Sequence, residues 1–190
     1  MCARFEIDAG VIDEAVARSN THNPGVFNLA SGNVRPSNSS LVIARHRGRP
    51  HAGIMQWGLP RYDGKGLVIN TRSETALEKQ MFRENTLQRR CVIPARAFYE
   101  WDQQKRMVTF SLPDQEIIWM AGIFDAEYRY SVLTTAANES VTRFHDRMPV
   151  LLSGDDLEHW LFDNSAFHSL MEKKMPALEH RQENEQIALF

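Results

Sequence analysis

The sequence predicts an α+β domain with an antiparallel β core, barrel-like in outline, and helices at the periphery. Three observations carry that expectation. Runs rich in β-branched and aromatic residues at 90–93, 97–101, 107–112, 117–124 and 130–135 follow one another closely, with turn residues such as Pro113-Asp114 and Asp125-Ala126 between them. Strands so spaced pair antiparallel, because a parallel crossover needs a dozen or more residues of its own. Helical patterning is confined to short stretches outside that block. The chain of 190 residues is 43% hydrophobic and 24% charged, one medium domain with enough apolar side chain for a core.

Taken in order, residues 13–18 suit a short helix, with Val11, Ile12, Ala15 and Val16 near one face. Residues 21–40 are mostly Asn, Ser, Gly and Pro, a long irregular segment of the kind found in binding loops. Leu41-Val42-Ile43-Ala44 reads as a strand leading into a basic turn at 45–49. Ile54-Met55-Gln56-Trp57-Gly58 and Leu67-Val68-Ile69-Asn70 read as two more. Thr71-Arg72-Ser73-Glu74 fits a capping box, so a helix is expected from there towards Phe82, with another turn or two over 85–90. Beyond the block of strands, 138–144 is expected to be helical and 149–152 extended. A helix opening at Ser153-Gly154-Asp155-Asp156 places Leu157, Trp160 and Leu161 on its apolar side, and the last thirty or so residues suit a surface helix with a frayed tail. With no repeat and no linker, a single domain over 1–190 is expected, with its motifs in 2–152 and a helical segment over 153–190.

Composition narrows the function. The net charge of −2 gives no global pull towards nucleic acid, so any basic surface is local. No run approaches the roughly 20 apolar residues of a membrane span. The start lacks the basic-then-apolar layout of an export signal, and two cysteines make no disulfide framework, so the cytosol is expected; a monomer is expected as well. The seven histidines show no HExxH or CxxC partner spacing, so neither a metal nor another cofactor is expected.

Chemistry is concentrated in a few places. The small Cys2 after Met1 favours removal of the methionine, leaving a thiol and a free α-amine on one residue. That amine has a pKa near about 8, so a fraction is neutral at pH 7. It adds to an aldehyde as a Schiff base, and the thiol then closes a five-membered thiazolidine. Glu100 in Phe98-Tyr99-Glu100-Trp101 sits between aromatic residues, where desolvation would raise its pKa and suit a proton donor. Strand alternation allows the opposite arrangement, with Tyr99 and Trp101 inward and Glu100 wet. Asn70-Thr71-Arg72-Ser73-Glu74-Thr75 stands where a strand becomes a helix, a place for anions, although a plain capped helix with a solvated Arg72 reads the same way. His145-Asp146-Arg147-Met148-Pro149 offers an imidazole beside a guanidinium. Cys91 lies in an apolar run and reads as a buried, inert thiol. Arg35, Arg45, Arg47, Arg49 and Arg61, interleaved with Trp57 and Tyr62, fit a single-strand surface of cations and stacking rings, or solvated loop arginines.

Together these segments resemble the SRAP proteins (SOS-response-associated peptidase fold), which shield abasic sites in single-stranded DNA. The resemblance rests on Met1-Cys2-Ala3-Arg4-Phe5, Asn33-Val34-Arg35-Pro36, Trp57-Gly58, the Ile69-to-Thr75 block, Cys91-Val92-Ile93-Pro94, Phe98-Tyr99-Glu100-Trp101 and the His145-to-Pro149 block, in family order. It implies that Cys2 traps the aldehyde of an abasic deoxyribose after Met1 is removed, a self-processing the family name reflects. It further implies that Asn70 bonds near the terminal cysteine, Glu100 is the acid–base group, and His145 assists sugar ring opening and proton transfer. Arg4, Arg72 and Arg147 would hold phosphates, and Asn33, Arg35, Pro36 and Trp57 complete the expected DNA-contacting set. Ala3 stands where the family usually has glycine, and Arg61-Tyr62-Asp63 where longer members carry paired tryptophans. Two other classes remain open: a cysteine hydrolase acting in trans with Cys2 as nucleophile and His145 as base, and a non-catalytic single-strand binder.

Overall fold

The computed structural model describes residues 2–19, 21 and 31–182, the side chain of Gln115 excepted. Strand β1 (Arg4–Ile7) is followed by helix α1 (Ala9–Ala17), then β2 (Gly32–Val34), β3 (Ser39–His46), β4 (Arg49–Trp57), β5 (Leu59–Pro60), β6 (Leu67–Val68) and β7 (Asn70–Arg72). A 3₁₀ turn (Ser73–Thr75) leads to α2 (Gln80–Gln88), β8 (Arg90–Ala95), β9 (Ala97–Trp101) and β10 (Met107–Ser111). The chain continues through β11 (Ile118–Phe124), β12 (Arg129–Ala136), β13 (Arg147–Pro149), β14 (Leu151–Leu152), α3 (Asp156–Phe162), α4 (Ala166–Glu172) and β15 (Glu179–Gln182).

The expected barrel-like closure is present. β12 pairs with β4, β4 with β3, β3 with β8, β8 with β11, and β11 with β12 again, so these strands form a ring. Gly122 of β11 sits where the ring tightens: a Cβ there would lie 2.4 Å from Ile93 Cδ1, and the site has room only for hydrogen. β13 and β14 extend the ring, and a second sheet runs β15-β10-β9-β1-β2. Most pairings are antiparallel as expected, but β12 pairs parallel with both β4 and β7. Those partners lie far upstream in the chain, so strand spacing carried no trace of them.

Sequence order meets structure closely along the β block and less so in the helices. α1 starts at Ala9, earlier than expected, because the Asp8 carboxylate accepts from Val11 N at 2.8 Å and caps it. The capping box at Thr71 does not form. Thr71 is a buried strand residue whose hydroxyl meets Ser131 Oγ at 2.9 Å, and Ser73–Thr75 is a lone 3₁₀ turn without a side-chain cap bond. The helix proper begins at Gln80. Over 138–144 there is no helix but a hydrogen-bonded turn, with Thr142 N to Asn138 O at 2.9 Å and His145 N to Val141 O at 3.1 Å. The Asn138 side chain accepts from Ser140 N and donates to Pro176 O, which fixes that turn. The C-terminal segment departs most from expectation: after α3 and α4 it forms β15, pairing antiparallel with β10, where a surface helix was expected. Much of the expected loop at 21–40 lies outside the described residues, but its latter part forms β2 and the start of β3.

Candidate functional site

Cys2 is fully buried although it stands at the start of the chain. β1 is the cause: it lies between β2 and β9, with Phe5 opposite both Val34 and Phe98, which draws the preceding residues inward. Asn70 opens β7 beside Val132 of β12, and its Nδ2 donates to the Cys2 carbonyl at 2.8 Å. The other end of that amide, Oδ1, is buried and accepts no hydrogen bond from the described residues. The Cys2 thiol points at the Arg4 carbonyl, 3.6 Å away. Burial pushes this thiol far above its ordinary value, and the nearby Glu100 charge acts in the same direction, so at neutral pH it rests protonated.

Glu100 is 2% exposed. Of its strand, Ala97 through Glu100 are all buried and only Trp101 emerges, so β9 is covered on both faces and the alternation argument for a wet Glu100 fails. Burial raises the Glu100 pKa, while the neighbouring His145 pulls the other way. His145 Nε2 lies 4.0 Å from Glu100 Oε2. On the far side of the ring, Arg147 N donates to Nδ1 at 3.0 Å, and Asp146 Oδ1 and Arg147 O stand 3.1 Å and 3.2 Å from the same nitrogen. A backbone N–H donor and two oxygen acceptors thus converge on Nδ1, while Nε2 faces Glu100.

The cationic residues divide into held and exposed. Arg4 Nε donates to Asn33 Oδ1 at 2.7 Å, and its guanidinium lies 4.6 Å from the centre of the Tyr99 ring, whose hydroxyl donates to Glu6 at 2.7 Å. Arg147, expected on phosphates, is bound instead to Glu74 through both terminal nitrogens, at 2.6 Å and 2.8 Å, and to the Thr134 carbonyl at 2.6 Å. Arg72 and Arg35 are exposed, Pro36 is half-buried, and the basic hairpin residues Arg45, Arg47 and Arg49 are exposed at the β3–β4 turn. Trp57 corrects an expectation. It is completely buried, donates from Nε1 to Ile69 O at 2.9 Å and packs on Phe5 and Tyr130, leaving no face for a base. Cys91 is fully buried in the barrel wall, as expected.

Cys2, Asn70, Glu100 and His145 are thus brought together from four separated segments. Sequence reasoning missed Glu74 as a partner of Arg147, 73 positions away. Its capping-box pattern pointed to a local role, and nothing in the sequence marks the pairing. The site unites a shielded thiol next to the chain start, a carboxyl with a raised pKa and an imidazole within reach of it. That combination suits addition to a carbonyl with proton transfer on both sides of the step.

Known proteins resemble this chain in sequence and fold. The chain is 31% identical over 180 positions to abasic site processing protein YoqW of Bacillus subtilis, covering 85% of this chain and 80% of that protein. It is 25% identical to abasic site processing protein YedK of Escherichia coli, over 85% of this chain and 79% of that one. Among solved structures, a protein from Bacteroides thetaiotaomicron superposes with a TM-score of 0.81 at 20% identity, covering 97% of this chain and 93% of that chain, and so shares the fold. The family model for SOS response associated peptidase (SRAP) matches residues 1–188, and the chain belongs to that family.

Proposed function

We propose that this protein processes abasic sites in single-stranded DNA by forming a covalent thiazolidine through Cys2 once Met1 is removed. The observation that carries the reading is the convergence of buried Cys2 with Asn70, Glu100 and His145. The names of the relatives, abasic site processing proteins, support it.

The chemistry divides among the residues as follows. An abasic deoxyribose is mostly a cyclic hemiacetal, and His145 would take the hydroxyl proton and return one to the ring oxygen, opening it to the aldehyde. The freed Cys2 amine adds to the aldehyde carbon, forming a C–N bond, and one amine proton passes to the former carbonyl oxygen to give a carbinolamine. Glu100, its pKa raised by burial, gives a proton to the departing oxygen, which leaves as water and yields an iminium ion. Sγ then adds to the same carbon, and its proton passes to the Glu100 carboxylate, restoring the acid. One water is lost overall. Because the resting thiol is protonated, the amine attacks first and sulfur second. That order also disfavours a hydrolase acting in trans with a resting Cys2 thiolate. Asn70 holds the Cys2 carbonyl so that both nucleophiles face one carbon. Exposed Arg72 and Arg35, with Arg4, supply phosphate contacts, and an unpaired sugar enters without the cost of unstacking a duplex.

Intact mass spectrometry before and after incubation with an abasic single-stranded oligonucleotide tests this directly. The expected result is a protein lacking Met1 that gains one oligonucleotide less one water. Borohydride reduction of the abasic site or Cys2→Ala should abolish the gain. Equal retention of reduced and unreduced oligonucleotide would leave only a non-covalent binder.

A further inference from the structure

Three arginines that the reaction above leaves unused sit together at the β3–β4 turn, where Arg45, His46, Arg47, Arg49 and His51 are all exposed. The register sets His46 opposite Arg49 and Ala44 opposite His51, so His46, Arg49 and His51 share one face and Arg45 takes the other. The two imidazole rings of that face stand 5.3 Å apart. β3 pairs with β8 only at Ile43 and Ala44, and β4 with β12 only at Gln56 and Trp57. Beyond Ala44 the hairpin therefore leaves the ring as a two-stranded ribbon. Its tip lies about 25 Å along β4 from Trp57, at the usual rise of a strand. Trp57 marks the end near the reacting residues, since its Nε1 donates to Ile69 O, next to Asn70.

The charge at the tip is uncompensated. Elsewhere arginines hold carboxylates, as Arg89 does Glu84, Arg96 Asp8, Arg106 Asp102 and Arg129 Asp125. Among the described residues Arg45, Arg47 and Arg49 hold none. Burial lowers the pKa of Arg90 on β8 to about 10, and although Asp163 opposes that shift, the Arg45 charge adds to it. The turn is also ill suited to its sequence. Arg47 and Gly48 both have positive φ, 50° and 77°. A two-residue turn of that kind favours Asn or Gly at its first position, and an arginine there is strained. Neither ion pairing nor turn geometry accounts for these arginines, whereas contact with an anion does.

We propose that the β3–β4 hairpin is a second phosphate-binding surface, holding the DNA backbone at a distance from the residues that react with the abasic sugar. The proposal rests on the aldehyde-trap reading only for the identity of the polyanion. A protein partner fits less well, because tight protein contacts are anchored by buried aromatic or aliphatic side chains. Between 45 and 51 the hairpin offers only half-buried Pro50. A phosphate backbone needs charge alone. Trp57, the ring expected beside these arginines, is buried, which leaves the cations to meet phosphates. Asp155, Glu158 and Asp163 border the groove on the α3 side of the hairpin and repel a polyanion there, so the phosphates meet the tip.

Two variants test this: the triple Arg45→Gln, Arg47→Gln, Arg49→Gln, and the single Arg47→Asn, which suits the turn and should melt no lower than wild type. Affinity is measured at two salt concentrations for an intact single strand of about 40 nucleotides, well beyond the span to the tip at about 3.4 Å per stacked nucleotide, and for a duplex of equal length. The triple variant should bind about tenfold more weakly, with a salt slope shallower by about two to three, close to one per lost contact. Arg47→Asn should weaken binding about threefold, the share of a single contact. Half-saturation of adduct formation on an abasic strand of about five nucleotides with the sugar central should be unchanged, because about two nucleotides on either side fall short of the tip. Weakening on the long single strand, the duplex or both supports the proposal and tells which backbone the hairpin meets. Unchanged affinity and salt slope on both would overturn it. Equal weakening on the five-nucleotide strand would overturn it as well, since the loss would then lie in the overall field or fold. If wild type forms no adduct, the aldehyde-trap reading fails, and the salt slopes still decide whether the hairpin holds DNA.

Discussion

A carboxyl group in apolar surroundings is costly to ionise, and Glu100 bears that cost in the folded protein, where its residue is 2% exposed. Its folded pKa lies above its unfolded one. The sign follows from proton uptake: between the unfolded value, about 4.3, and the higher folded value, the native state binds more protons than the unfolded chain, so stability falls as pH rises through that window. Above it the penalty is constant. Glu100→Gln removes the ionisable group while keeping its shape. The variant should therefore match wild type in melting temperature near pH 4 and exceed it at pH 8, as scanning calorimetry at the two pH values would measure. Adduct formation should fall about 100-fold, the lower range for loss of a general acid. A variant less stable than wild type at pH 8 would mean that the carboxylate is stabilised in place, and Glu100 would then be a structural anion.

At the scale of elements, the strands were legible because each carries its own signal. β9 and β12 are dense in aromatic and β-branched residues, and turn residues separate β11 from β12. Glu100 was legible as a candidate, but its burial was not, because alternation along Phe98-Tyr99-Glu100-Trp101 fits either face and only cover on both faces of β9 decides it. The capping box misled because Thr71 spends its backbone on β12 and its hydroxyl on Ser131, contacts made across 60 positions of sequence. The Arg147–Glu74 pair and the parallel pairings of β12 are long-range in the same way. Trp57 failed as a stacking ring for a related reason: an aromatic beside arginines reads as a nucleic-acid surface until the partner strands are known. In the fold it ties the end of β4 to Ile69, next to Asn70, and stacks on Tyr130 of β12 with ring centres 6.2 Å apart. Trp57→Phe should cost about 1–3 kcal/mol through a lost hydrogen bond and a small void, read by urea denaturation. Affinity for intact single-stranded DNA should stay unchanged. A clear loss of affinity at unaltered stability would return Trp57 to the DNA-contacting set.

The whole molecule constrains the reaction through where it puts its beginning. The second sheet carries β1 against β9, the closed ring carries β7 on β12, and the Asn70 amide joins the two at the Cys2 carbonyl. The proposed nucleophile, Cys2, is thereby a residue with no exposed surface, set between two sheets. A peptide extension ahead of Cys2 changes this in two respects. The amine becomes an amide and loses the lone pair that starts the sequence. The thiol, held protonated by burial and by Glu100, then has only the hemithioacetal open to it, an adduct that reverts in water and does not survive heating. Protein carrying a short extension that a protease removes to leave Cys2 first should therefore give no heat-stable adduct with abasic single-stranded DNA. It should bind the same strand with affinity within about twofold of the processed form, since Arg4, Arg35 and Arg72, proposed to contact phosphates, are untouched. Cleavage should restore the adduct in step with the fraction processed, followed on denaturing gels against intact mass. A heat-stable adduct on the uncleaved protein would show that the amine is dispensable, and bond formation would have to be reassigned to a side chain.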